Sequence, residues 1–164
     1  MRVYLPATFA MLESLEENGL IHARNGWGFA ATPELTEFFT SGDEEEIEAV
    51  AFDDAALASL RLLAIGDEEK FPHRRVVISV DTEAEGAPDM GESVVKLHAP
   101  VELKDVAAIH VDVKEAEEAT QKAVQLIDAA DLGDEDAELA VGDAQDNYMA
   151  FFDPTELPFL IELL

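Results

Sequence analysis

Arg75-Val76-Val77-Ile78-Ser79-Val80 is the clearest strand in the chain. It is a short β-branched run too brief for a helix, and the loop after it holds Gly86, Pro88 and Gly91. Working outward, Val94 to His98 reads as a second strand closed by Pro100, and Val106 to Val111 as a third. The three together suggest a meander. Upstream, Val3-Tyr4-Leu5 before Pro6 reads as an opening strand; downstream, Tyr148 to Phe152 reads as a last one.

Helical signals fill the spaces between. Thr8 caps a helix with Phe9, Leu12 and Leu15 on one face, and Gly19 ends it. Thr32-Pro33-Glu34 starts a short helix that should stop near Ser41-Gly42. Asp43 opens an acid-led helix, and a separate one is expected from Asp54, buried through Leu57 to Ile65. Asp112-Val113-Lys114-Glu115 has the pattern of a capped helix start. Ala116, Ala119, Ala123, Ile127 and Ala130 then recur at spacings of three and four, predicting a helix over roughly 113–130. Residues 154–164 read as a tail or helix. Asn25-Gly26 is a two-residue hairpin signal that would place Trp27 and Phe29 on a small flap.

This order predicts an α+β fold in one domain, residues 1–164, with a mixed sheet of about four to five strands covered by helices on one side. The skeleton contains the split β-α-β arrangement of a ferredoxin-like core, with a helical insertion after strand 1. A length of 164 residues suits a single domain.

Charge narrows the function classes. There are 37 Asp+Glu and 10 Lys+Arg, a formal net charge of -27, yet 48% of residues are hydrophobic, so the chain is foldable rather than disordered. Nucleic acid and anionic membrane surfaces, both held by Lys/Arg clusters, are not expected partners. Three segments carry acids without a base: 43–54 with seven, 81–92 with five and 131–146 with seven. They read as solvated helix starts and loops, as a surface that docks a basic protein or imitates nucleic acid, or as adaptation to high salt. The apolar C-terminus, Leu157 to Leu164, either packs back or offers a face for a homodimer. The chain has no cysteine, which removes thiolate chemistry and fits a cytoplasmic protein; no signal peptide or membrane span is apparent.

No motif announces a reaction. Phosphate-binding loops, G-x-S-x-G elbows, H-E-x-x-H zinc patterns and EF-hand spacings are all absent; Gly26-Trp27-Gly28 comes nearest to a dinucleotide loop and lacks its third glycine. No cofactor or metal is expected. The candidate catalytic residues are His98 and His110. If their strands paired, the two imidazoles would lie together with Asp112 beside them, a set suited to hydrolytic or metal-assisted chemistry. Against this, Asp112 is expected to cap the following helix. Arg74-Arg75 is the only basic cluster, either an anion site or relief from local repulsion. The preferred reading is a non-catalytic domain acting through protein contacts on its acidic surface; the small enzyme and the acidic nucleic-acid mimic are the alternatives.

Several blocks resemble a small actinobacterial family described only as a domain of unknown function. They are Met1-Arg2-Val3-Tyr4-Leu5-Pro6-Ala7-Thr8, Ala31-Thr32-Pro33, Gly42-Asp43-Glu44-Glu45-Glu46, Ala58-Ser59-Leu60-Arg61-Leu62-Leu63, Arg74-Arg75-Val76-Val77 and Ile109-His110-Val111-Asp112. The resemblance implies an actinobacterial source and a soluble α/β domain. It implies no activity, ligand or catalytic residue.

Overall fold

The computed structural model describes residues 1–39, 41–66 and 70–163. It is an α+β fold built on a seven-stranded sheet. In chain order the elements are β1 (Arg2–Ala7), α1 (Phe9–Asn18), β2 (Leu20–Ile21), β3 (Trp27–Phe29), α2 (Pro33–Phe38) and α3 (Glu44–Ile65). Then follow β4 (Val76–Asp81), β5 (Glu85–Gly86), β6 (Val94–Lys96), β7 (Val101–Glu102), β8 (Val106–Asp112), α4 (Glu117–Asp131), α5 (Glu135–Gln145), β9 (Met149–Phe152) and α6 (Leu157–Glu162). The sheet order is β5-β6-β3-β1-β4-β8-β9, and β2 and β7 form a separate two-stranded ribbon.

The sheet is thus larger than the four to five strands expected. All its pairings are antiparallel rather than mixed. No meander forms from the second, third and fourth long strands, because β6 joins β3 and β5 while β4 sits between β1 and β8. One split unit is present: β3 and β4 flank β1, both antiparallel to it, and α2 and α3 connect them.

Alternation along the central strands divides the core in two. Val3, Leu5, Val76, Ile78, Val80, Ile109 and Val111 pack with Phe9, Leu12 and Leu15 of α1 and Leu157 and Leu160 of α6. Tyr4 and Val77 face the other way, onto Ile47, Ala51, Ala55 and Ala56 of α3. Helices therefore cover both faces, not one. Leu60 of α3 with Ala123, Ile127 and Ala144 forms a third cluster that seats the α4–α5 hairpin behind α3. The return of α6 accounts for Leu157 and Leu160, whereas Phe159 stays exposed; Leu164 lies outside the described residues.

Local chemistry explains most boundaries. Thr8, Thr32, Asp43 and Asp134 each accept a backbone N–H three residues on, as helix N-caps. Gly19 is left-handed at φ 74° and closes α1. The expected break at Asp54 does not occur: α3 is one helix of 22 residues, with no Gly or Pro between its ends. Helix α5 lies inside an acidic stretch read as loop and helix starts, and it is anchored by buried Ala137, Ala140 and Ala144. Asn25 and Gly26 do adopt positive φ, 55° and 77°, but the flanking strands do not pair with each other. β3 is an interior strand instead of a flap. A Cβ at Gly28 would meet Val3 Cγ1 at 2.7 Å, so the glycine serves close strand packing.

Candidate functional site

The basic cluster Arg74-Arg75 is engaged inside the fold, where Arg75 pairs with Asp112. Arg75 leads into β4 and Asp112 ends β8, and their side chains are 2% and 0% exposed. Arg75 Nε donates to Asp112 Oδ2 at 3.0 Å and Nη2 to Oδ1 at 2.6 Å, a two-pronged pair. The Arg75 backbone N–H and Thr120 Oγ1 also donate to Asp112. The rest of the guanidinium donates to Gln145 Oε1 and the Asn147 carbonyl. Asp112 therefore does not cap α4, which starts without a side-chain cap after a short 3-10 turn at Lys114–Ala116. Arg74 pairs with Glu117 at 2.5 Å. Neither arginine is left to receive an anion; the pair ties β4 and β8 to the α4–α5 hairpin.

The two candidate histidines are not brought together. β6 and β8 are separated by β3, β1 and β4, four strand spacings or roughly 19 Å across the sheet. His98, just past β6, is exposed and faces Glu85 Oε2 at 3.2 Å. His110 is in the middle of β8, and its Nε2 is 2.9 Å from Ser79 Oγ on β4. Ser79 is buried at 2% exposure in the interior of a strand, and no carboxylate is among the hydrogen-bond partners of His110 in the described residues. This is a pair that satisfies a buried hydroxyl rather than a nucleophile poised over a cleft. Among the described residues no group of three or more His, Asp and Glu is arranged to hold a metal.

Around His110 there is nonetheless a shallow groove of about 290 Å³. Its floor comes from the sheet face that α3 only partly covers: Tyr4, Ser79, Ala108, His110 and Phe151, with Phe52 from α3. Tyr4 and Phe52 meet edge to face at 5.7 Å and 80°, Phe52 and His110 at 4.8 Å and 81°, and His110 and Phe151 at 5.8 Å and 68°. Glu45 and Glu48 of α3 stand on the rim, with Arg2 across from them. Arg2 is engaged by Asp81, Nε to Oδ1 at 2.8 Å and Nη2 to Oδ2 at 3.3 Å, and that hydrogen bonding holds the Asp81 carboxyl below its usual range. Burial, and secondarily the Glu48 charge, raises the Tyr4 phenol. Burial, and secondarily the Arg2 charge, lowers His110 to about 4.

His110 thus stays neutral in the folded chain while an unfolded histidine protonates below about 6.5. Its contribution to stability is full above that value, falls as pH drops below it and levels off below about 4. His110→Gln is expected to reduce the loss of stability between pH 7.5 and pH 5 by about 1–2 kcal/mol, the range allowing for partial solvation. Urea unfolding of both chains at the two pH values measures it; identical pH dependence would contradict the assignment.

Trp27 and Phe29 line a different apolar groove with Leu62, Met90 and Val94. Lys96 Nζ lies 4.3 Å from the Trp27 ring centroid and donates to the Asn25 carbonyl, which covers that indole. His98, His110 and Trp27 accordingly occupy three separate depressions.

Two hydrogen bonds tie the ends of acidic stretches to α3. Gln145 Nε2 at the end of α5 donates to the Asp53 carbonyl at 3.2 Å, which ties that end of α5 to the middle of α3. Ser93 Oγ donates to Asp54 Oδ2 at 2.6 Å, bringing the end of the 81–92 loop to the same helix. Burial and then the neighbouring Asp54 charge raise the Asp53 carboxyl. Among the described residues, six of the ten bases are paired with acids: Arg2, Arg61, Lys70, Arg74, Arg75 and Lys104. Little positive charge remains to offset these segments outwardly. The segments stand out in the sequence, whereas the residues that link them to α3, Gln145 and Ser93, carry no charge and do not.

Fold and site together define a small, acidic, antiparallel α+β domain with an aromatic groove beside its long acidic helix. A family of unknown function (DUF6912) matches residues 1–161, and the chain belongs to that family. No curated protein matches it, and no solved structure does.

Proposed function

We propose that this chain is a non-catalytic docking domain of the cytoplasm that binds a basic protein through its acidic surface. The observation that carries the reading is the pair of hydrogen bonds at Asp53 and Asp54, where Gln145 ties the end of the 131–146 segment to α3 and Ser93 ties the residue after the 81–92 segment to it. Carboxylates concentrated in one region steer a cationic partner and suppress anionic ones, with a strength that falls as salt rises. The outer side of α5 adds a contact of mixed character: Glu135, Glu138, Asp143 and Asp146 border Leu139, which is 67% exposed. An isolated apolar side chain ringed by charges suits the core-and-rim pattern of a modest interface.

The wide separation of His98 and His110 weighs against the enzyme alternative built on them. Among the described residues no helix is long and apolar enough to cross a membrane. The split unit β3-α2-α3-β4 is the piece of the architecture that supports a ferredoxin-like core.

Salt-graded affinity capture tests the proposal. The intact chain, used as bait in lysate of its source cell, should retain a protein of high isoelectric point at about 50 mM salt and release it by about 500 mM. Capture indifferent to salt, or capture of acidic and neutral proteins alone, would overturn it.

A further inference from the structure

We propose that the groove between the first half of α3 and strands β1, β4, β8 and β9 receives the ammonium of a lysine side chain, methylated lysine included, presented by the partner protein. This rests on the docking reading above and names the contact that gives it specificity.

Three observations converge on a cation. First, the groove is bounded by rings: Tyr4, Phe52, His110 and Phe151 meet edge to face, at 80°, 81° and 68° along the series. Ring faces attract cations through their quadrupole, and faces turned in several directions suit a rounded ammonium better than a flat guanidinium, which stacks on one face. Second, the local charge is negative. Arg2 is matched by Asp81, whereas Glu45 and Glu48 enter no ion pair with a base among the described residues. Of the three charged residues that line the groove, Glu45 and Glu48 outnumber Arg2, whose charge Asp81 offsets from outside the lining, and a neutral imidazole lies beneath them. An anionic ligand would meet that excess, and a neutral one would leave both glutamates unused. Third, Phe151 is 63% exposed on β9, the edge strand of the sheet. An exposed aromatic beside a concave aromatic floor is a typical anchor position for a partner's side chain.

The groove, at about 290 Å³, accommodates a side-chain head group and not a large cofactor. Its depth is set by the sheet, because Ala108 on β8 pairs with Ser79 on β4 and the two small side chains leave space between Tyr4 and His110.

NMR titration of the intact chain with the Nα-acetyl amide of Nε-trimethyl-lysine tests the proposal. Saturable shifts centred on Ala108, His110 and Phe151 are expected. The neutral isostere with carbon in place of the ammonium nitrogen should bind at least about tenfold more weakly, the loss expected when the cation–ring and carboxylate terms vanish. Phe151→Ala, an exposed site that spares the core, should weaken binding at least about fivefold. Glu45→Gln with Glu48→Gln should weaken it as well. Equal binding of the isostere, shifts spread over the acidic helices, or an unaffected Phe151→Ala chain would each overturn the groove assignment. Tetramethylammonium binding as tightly as the lysine derivative would overturn the side-chain source in favour of a free ammonium compound. Salt-sensitive partner capture with no cation binding here sinks the groove alone. Cation binding here with no salt-sensitive capture sinks the docking surface alone.

Discussion

Asp112→Ala is expected to lower stability by about 3–5 kcal/mol, the largest effect of any single substitution on the polar framework. The wild-type carboxylate receives two guanidinium hydrogen bonds, a backbone N–H and a threonine hydroxyl, all in a region closed to water. Truncation leaves the Arg75 guanidinium buried with its charge unmatched, and that desolvated charge, rather than the lost attraction, dominates the cost. The paired change Arg75→Met with Asp112→Leu should be less damaging than Asp112→Ala alone, since it removes the buried charge along with its partner. Urea unfolding of the three chains measures the difference. A cost below about 1 kcal/mol for Asp112→Ala, or a double variant worse than the single one, would show that the pair is not desolvated as described.

Ser59→Ala should cost about 2–4 kcal/mol although it removes one oxygen atom. Ser59 is fully buried on α3, and its hydroxyl donates to the Ala7 carbonyl at 2.7 Å while accepting the Val76 N–H at 2.9 Å. It therefore joins the helix to the end of β1 and the start of β4 at once. Alanine leaves a carbonyl and an amide without this partner where water cannot replace it, at about 1–3 kcal/mol each. Unfolding midpoints check the value, and a change under about 0.5 kcal/mol would mean that both groups find other partners.

Ser59 and Asp112 also show what is and is not legible in the chain. Caps were readable at Thr8 and Thr32, because a threonine before an apolar periodic run has one local task, and both perform it; the capping role of Asp43 comes from the structure. Asp112 sits in the same pattern and has another task, because its partner is 37 residues away in sequence and only the pairing of β4 with β8 brings them together. The Val76–Val80 run carried a further signal: apolar residues at consecutive positions, broken only by Ser79, require cover on both faces, which is what α1, α6 and α3 supply. The alternation on β8 was readable too, and His110 and Asp112 do share the face opposite Ile109 and Val111. What it could not give was the neighbour. Sheet order depends on long-range packing, and β3, β1 and β4 intervene where adjacency of the histidine strands was expected.

The groove was hidden for the same reason. Tyr4, Phe52, His110 and Phe151 come from four elements and have no common spacing, so no periodicity announces them. The acidic segments were plain in composition, but their contacts at α3 run through Gln145 and Ser93.

The central claim is that the placement of the acids, and not their number, creates the docking surface. The measurement that tests it most directly compares two neutralised chains of equal charge. One carries Glu135→Gln, Glu138→Gln, Asp143→Gln and Asp146→Gln on the outer side of α5; the other carries Glu16→Gln, Glu17→Gln, Glu102→Gln and Glu156→Gln at exposed positions outside the three acidic segments. Affinity for the captured basic partner, at fixed ionic strength, should fall at least about tenfold for the first chain and less than about twofold for the second. Equal losses in the two chains would mean that net charge alone is read, and would contradict the account.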